Sequence, residues 1–118
     1  MTGSVDVAAL DDLVDGEGTA FELDGRRVSV VRLGDRVYVV GDTCSHEKVS
    51  LSGGIVDEDA CTIECPKHGS EFDLRTGEAL TLPAIRPIPT YAARVLDGRV
   101  LIDVGAENDH TSPPEVSP

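Results

Sequence analysis

Three residue pairs, Asp24-Gly25, Gly34-Asp35 and Asp97-Gly98, each interrupt a run rich in β-branched and apolar side chains. A two-residue interruption of this kind favours a tight hairpin. The turns that match the twist of paired strands need positive φ, which Gly supplies freely and Asp tolerates. The flanking runs are therefore predicted as strands: Thr19 to Leu23, Arg27 to Leu33 and Arg36 to Val40 form a three-stranded meander, and Tyr91 to Leu96 pairs with Arg99 to Val104. Only Val7 to Leu13 could form a helical turn, since no later window sustains apolar spacing at 3.6 residues. The turns thus predict an all-β chain built on an antiparallel β-sheet framework.

Between the two sets of strands lies an insertion, about residues 41–84, holding all three cysteines, two of the three histidines and the Gly53-Gly54 pair. A chain of 118 residues has room for one compact unit. The expected organisation is a single domain over residues 1–105, with the insertion as its subdomain. The three prolines between Leu82 and Pro89 fix φ and remove donors, so this stretch should return to the framework as a stiff extended strap. Residues 106–118 are polar and rich in Pro and Ser, and are expected to form a disordered tail.

Charge narrows the choice of partner. Ten Lys and Arg against 22 Asp and Glu leave a net charge of -12, which repels phosphate backbones and anionic lipid head groups. Nucleic acid and membrane surfaces are thereby disfavoured, and an aromatic content of 3% with no Trp offers few platforms for stacked bases. The insertion alone carries nine acidic and three basic side chains, a local charge of -6, so its docking surface should be acidic. No apolar run approaches the roughly 20 residues that cross a bilayer. The start from Met1 to Asp6 lacks the basic and apolar regions of a signal peptide. A cytoplasmic monomer is expected, and in that reducing setting three cysteines point to metal or redox chemistry sooner than to a disulfide framework.

Two pairs stand out, Cys44-Ser45-His46 and Cys65-Pro66-Lys67-His68, separated by 18 residues between His46 and Cys65. Each lies in a turn-like context, so Cys44, His46, Cys65 and His68 can converge on one metal centre. A tetrahedral structural zinc site would accept the same four side chains. Zinc modules usually keep like ligands paired, as CxxC and HxxxH, whereas mixed CxH and CxxH pairs suit a centre with two metals. Cys61 fits neither pair and reads as a small buried hydrophobe. His110 lies in the polar tail and receives no role. Lys67, between two candidate ligands, could tune a nearby charge, although screening weakens an exposed lysine.

The CxH and CxxH pairs, with the run Cys65-Pro66-Lys67-His68-Gly69-Ser70-Glu71-Phe72-Asp73, resemble the Rieske [2Fe-2S] ferredoxins over roughly Val5 to Val104. Arg75-Thr76-Gly77 and the proline-bearing loop around Leu82-Pro83 extend the likeness, while the spacer of 18 residues is slightly longer than usual for the family. The resemblance implies a Rieske fold with an inserted cluster-binding subdomain. It implies a [2Fe-2S] cluster in which Cys44 and Cys65 bind one iron and His46 and His68 the other. Two ferric ions, two sulfides and two thiolates sum to zero charge, and reduction takes the centre only to -1. Acceptance of an electron is therefore easier than at an all-cysteine cluster.

The resemblance also places the chain at the low-potential end. High-potential relatives carry two further cysteines joined in a disulfide, and the matching positions here are Val49 and Lys67. Their tyrosine corresponds to Phe72, which has no hydroxyl to donate to a sulfur, while the matching serine is kept as Ser70. The implied function is that of a one-electron carrier and not a catalyst. It would pass electrons from an NAD(P)H-dependent flavoprotein reductase to the terminal oxygenase of an aromatic ring-hydroxylating dioxygenase system, such as those acting on biphenyl or carbazole. Leu51, Phe72 and Pro83 are expected to ring the histidine edge through which the electron passes. A role in iron-sulfur cluster assembly and a structural zinc adaptor are the alternatives.

Overall fold

The computed structural model describes residues 5–23, 25–44, 49–67, 69–82 and 86–108. Nine strands build two antiparallel sheets, and no α-helix occurs among the described residues. The larger sheet joins β1 (Val5–Ala9), β9 (Arg99–Asn108), β8 (Thr90–Leu96), β4 (Arg36–Gly41), β3 (Arg26–Leu33) and β2 (Gly18–Leu23), in that order. The smaller one joins β5 (Ile55–Asp57), β6 (Thr62–Glu64) and β7 (Glu71–Asp73) within the insertion.

Hairpins close around all three turn positions, with Asp24 itself outside the described residues. Leu23 pairs with Arg26, Leu33 with Arg36 and Leu96 with Arg99, each leaving two residues in the loop. Positive φ falls at Gly25, Gly34, Asp97 and Gly98, as such turns require.

Strand alternation then divides the interior into two cores. On β3 and β4, Val28, Val30 and Val39 face one cluster with Leu10, Leu13, Tyr91, Val100 and Ile102. Val31, Leu33 and Val40 face the other, with Leu51, Ile63, Phe72, Leu74, Ile88 and all three cysteines. The first core lies in the six-stranded base and the second joins that base to the insertion. Burial of a valine side chain contributes about 1.5–3 kcal/mol, so each face of this hairpin stabilises a different half of the molecule.

Two expectations are corrected at the chain ends. The apolar stretch from Val7 to Leu13 is a strand through Ala9, paired with β9, and only Leu10–Asp12 turns as a short 3-10 helix. The edge of β9 needs a partner, and Val7 and Ala8 reach the base core from that strand. Arg32 holds the turn that follows, its Nη1 donating to the carbonyls of Leu10 at 3.2 Å and Leu13 at 3.0 Å. Strand β9 also runs past residue 105, because a register shift opposite Tyr91 and Ala92 lets Glu107 and Asn108 pair with Tyr91 and Thr90. The expected tail thus begins no earlier than residue 109, and residues 109–118, His110 among them, lie outside the described residues.

The proline-bearing return is pinned where it rejoins the framework, while residues 83–85 lie outside the described residues. Ile88 is buried and its amide donates to the Gly77 carbonyl at 2.8 Å, while the Pro89 carbonyl accepts from the Gly41 amide at 2.9 Å. Gly77 has a φ of 80°, and a Cβ there would fall on the Ile88 carbonyl oxygen. A left-handed backbone alone costs a non-glycine residue about 1–2 kcal/mol, and the clash adds to it. Gly77→Ala should therefore lower the unfolding free energy by about 3 kcal/mol or more, read from urea denaturation followed by circular dichroism. A loss under about 1 kcal/mol would show that strap and turn can separate without cost.

Candidate metal centre

Cys44 and Cys65 occupy equivalent positions in two loops. Just past β4, Thr43 bridges Ser50, and the Cys44 amide donates to the Val49 carbonyl at 2.9 Å. Just past β6, Glu64 pairs with Glu71, and the Cys65 amide donates to the Ser70 carbonyl at 2.7 Å. Each cysteine therefore opens a six-residue loop that its own amide closes onto the carbonyl five residues later. The second loop gains a further bond from the Gly69 amide to the Cys65 carbonyl at 2.9 Å. Gly69 has a φ of 75°, so glycine suits this reversal.

Both cysteines are buried, neither is in a disulfide, and both belong to the apolar cluster that joins the insertion to the base. A thiolate in such surroundings is costly unless a metal or a donor compensates it. Two thiols brought to one apolar core, each at the mouth of a hydrogen-bonded loop, fit the sulfur half of a two-iron cluster. His46 and His68 lie outside the described residues.

Cys61 is buried in the same cluster, as expected, and lies just ahead of β6. Strand β6 begins at Thr62, and Cys61 ends the turn after β5 with a φ of 58°. Its carbonyl accepts from the Leu74 amide at 2.9 Å, and the Asp57 carboxylate caps the same turn through the Ala60 amide at 3.1 Å.

The expected apolar rim is corrected. Leu51 and Phe72 are fully buried beneath the loops and contribute packing, not a port, because β7 turns Phe72 inward against Ile63 on β6. Pro83 lies outside the described residues. Among the described residues that follow β7, Leu80 and Leu82 are exposed apolar side chains. Leu80 is tied beside the second loop by its amide donating to the Glu71 carbonyl at 2.8 Å, and Thr81 Oγ1 accepts from the Glu71 amide at 2.8 Å. Asp73 accepts from the amides of Arg75 at 2.7 Å and Thr76 at 3.3 Å, which shapes the turn to Gly77. The hydrogen bond and charge of Asp73 raise the pKa of the Arg75 guanidinium above its ordinary value.

One residue at the site was not singled out from sequence. Asp42, two positions before Cys44, is fully buried. Its Oδ2 accepts from Arg27 Nε at 2.8 Å and Ser50 Oγ at 2.6 Å, and its Oδ1 from the Ser52 amide at 3.0 Å and Ser52 Oγ at 2.6 Å. The signal available in advance was the placement of an acidic residue in Gly41-Asp42-Thr43, directly ahead of the first pair, but its partners are remote in sequence. With Asp42 buried against Arg27, the insertion presents eight acidic and three basic side chains beyond this pair, a charge of -5 in place of -6.

Comparison with known proteins agrees with this arrangement. Residues 3–92 match the Rieske [2Fe-2S] domain family. The chain is 42% identical over 89 residues to the 3-phenylpropionate/cinnamic acid dioxygenase ferredoxin subunit of Escherichia coli (strain K12), a match covering 75% of this chain and 83% of that protein. Its structure is similar to the ferredoxin of carbazole 1,9a-dioxygenase from Nocardioides aromaticivorans IC177, with a TM-score of 0.83 and 40% identity over 86% of this chain and 98% of the other. A ferredoxin solved in complex with the reduced oxygenase of carbazole 1,9a-dioxygenase is similar at a TM-score of 0.77 and 34% identity, over 85% of this chain and 92% of that one. Two buried thiols at the mouths of matched loops, on a fold shared at this level of identity, leave one conclusion: the chain belongs to the Rieske [2Fe-2S] domain family, with a Rieske-type [2Fe-2S] cluster as its cofactor.

Proposed function

We propose that this protein is the ferredoxin of an aromatic ring-hydroxylating dioxygenase system, taking single electrons from an NAD(P)H-dependent flavoprotein reductase and delivering them to a terminal oxygenase. In this reading Cys44 and Cys65 hold one iron and His46 and His68 the other. The observation that carries it is the 42% identity to a dioxygenase ferredoxin subunit, joined to the burial of Cys44 and Cys65 in one core. The ferredoxin–oxygenase complex among the similar structures supports an oxygenase as electron acceptor. The reading places the protein in the cytoplasm, supported by cysteines outside any disulfide and by the lack, among the described residues, of a helix long and apolar enough to cross a membrane.

When bound, the cluster supplies a one-electron couple. The chain's part is to hold the thiols away from water, to fix the loops through backbone hydrogen bonds, and to present an acidic surface to partners. A mixture of candidate reductase and oxygenase should turn over an aromatic substrate only when this protein is added, and equal turnover without it would remove the carrier role.

The ligand assignment makes a sharp distinction among cysteines. Replacing Cys44, His46, Cys65 or His68 by Ala should abolish the Rieske electron paramagnetic resonance signal, whereas Cys61→Ala should keep it. Loss of the signal in Cys61→Ala alone would overturn the assignment.

The midpoint potential should lie near the low end of the Rieske range, about -150 mV, because Phe72 offers no hydroxyl and Val49 and Lys67 form no loop-bridging disulfide. Phe72→Tyr should raise it, and voltammetry giving a wild-type midpoint well above zero at neutral pH would contradict the reasoning.

Docking should be electrostatically steered. Salt shortens the reach of exposed charges to about 10 Å at 0.1 M and about 3 Å at 1 M, so stopped-flow electron transfer to the oxygenase should slow steeply as salt rises. Neutralising Glu47 or Glu71 should reduce the rate more than neutralising Asp11 or Asp12, which are exposed on the 3-10 turn of the base. A second-order rate independent of salt would leave apolar contact as the driving force.

A further inference from the structure

Among the described residues Asp42 is the only buried carboxylate, and it lies at the root of the loop that begins with Cys44. We propose that Asp42 is the positioning residue of this loop, and that its buried charge, balanced by Arg27, sets the electrostatic background against which the cluster is reduced. The inference rests on the ligand assignment above.

The geometry clamps the loop from two directions. Through its backbone, Asp42 donates to the Arg27 carbonyl at 3.1 Å and accepts from the Leu51 amide at 2.6 Å, joining strand β3 to the far end of the loop. Through its carboxylate it gathers Arg27, Ser50 and Ser52. Ser52 Oγ lies 2.6 Å from Asp42 Oδ1 and 3.0 Å from Ser29 Oγ. A hydroxyl has one proton, so Ser52 donates to the carboxylate and accepts from Ser29, which extends the network to the middle of β3. On β2, a Cβ at Gly18 would stand 2.6 Å from Ser29 Oγ, so the neighbouring strand leaves room for this chain of hydroxyls.

Four donors satisfy the carboxylate, so its burial is compensated. The two charges are nevertheless unequal in their surroundings. Both residues border a cleft shared with Thr43, Val49 and Ser50, but the Asp42 side chain at its floor is 0% exposed, whereas that of Arg27 is 59% exposed. Water and salt screen the guanidinium far more than the carboxylate, so the pair leaves a net negative background in the interior. Reduction adds one negative charge, which that background opposes.

Removal of each partner should therefore move the midpoint in opposite directions. Asp42→Asn keeps the shape and deletes the negative charge, so its potential should rise and the cluster should be lost faster to a chelator. Arg27→Gln leaves the carboxylate with its three remaining donors and deletes the positive charge, so its potential should fall, by a smaller step that shrinks with added salt. Asp97→Asn, at the exposed turn between β8 and β9, should leave the midpoint unchanged. Voltammetry with electron paramagnetic resonance on the holoprotein reads all three. A purely structural role would shift Asp42→Asn and Arg27→Gln in the same sense, and either that result or two wild-type midpoints overturns the proposal. If Asp42→Asn fails to take up the cluster, Arg27→Gln decides, since a midpoint at or above that of the wild type overturns the inference. Wild-type protein without a Rieske signal would instead bring down the ligand assignment itself, which separates the two failures.

Discussion

The hairpin of β3 and β4 is buried on both faces, and the two halves of the protein depend on that constraint. Val28, Val30 and Val39 fill the core of the base, while Val31, Leu33 and Val40 fill the core beneath the cysteine loops. A strand with one wet face tolerates polar side chains at every second position, but a strand covered on both sides does not. The exception shows the rule: Ser29 is fully buried on β3, and it is accepted because Ser52 is its hydrogen-bond partner.

The insertion could not stand without that support. Its sheet has three strands of three residues each, shorter than an independent sheet needs. Stability comes from Leu51, Ile63, Phe72, Leu74 and Ile88 packing with the outer face of the hairpin. The cysteines share this packing, so the residues that make the lobe cohere also fix the sulfur atoms. Rigidity of this kind suits a carrier of electrons. A site whose cysteines are held by loops and a filled core has little room to rearrange when its charge changes.

Charge is distributed with a comparable division. The surface is acidic, and ion pairs such as Arg99 with Asp6, between β9 and β1, are exposed on both sides and weak as stabilisers. The hydrogen bond and charge of Asp6 raise the pKa of Arg99, yet solvent screens the pair. Asp42 differs because it is buried, and a carboxylate in the interior acts over distances at which a surface charge is lost to solvent.

Local chemistry explains what was legible in the chain. Asp24-Gly25, Gly34-Asp35 and Asp97-Gly98 specify their hairpins because a primed turn is decided by the two residues within it. The Cys-Ser-His and Cys-Pro-Lys-His pairs point to metal chemistry because closely spaced candidate donors are themselves the signal. Neither requires knowledge of a distant partner. Strand β1 depends on one, since Val5 meets Ile102 across the length of the chain, and so does the last part of β9, which follows the needs of Thr90 and Tyr91. Leu51 and Phe72 look like candidates for an exposed rim until the second core claims them. Asp42 looks like one acidic residue among 22 until Arg27, Ser50 and Ser52 close around it. The sequence by itself thus determined the hairpins and offered the candidate donor set, because turns and closely spaced donor pairs are short-range. Only tertiary structure decided which side chains are buried and which charge lies beside the cysteine loop, because burial is a property of every segment that folds over a residue.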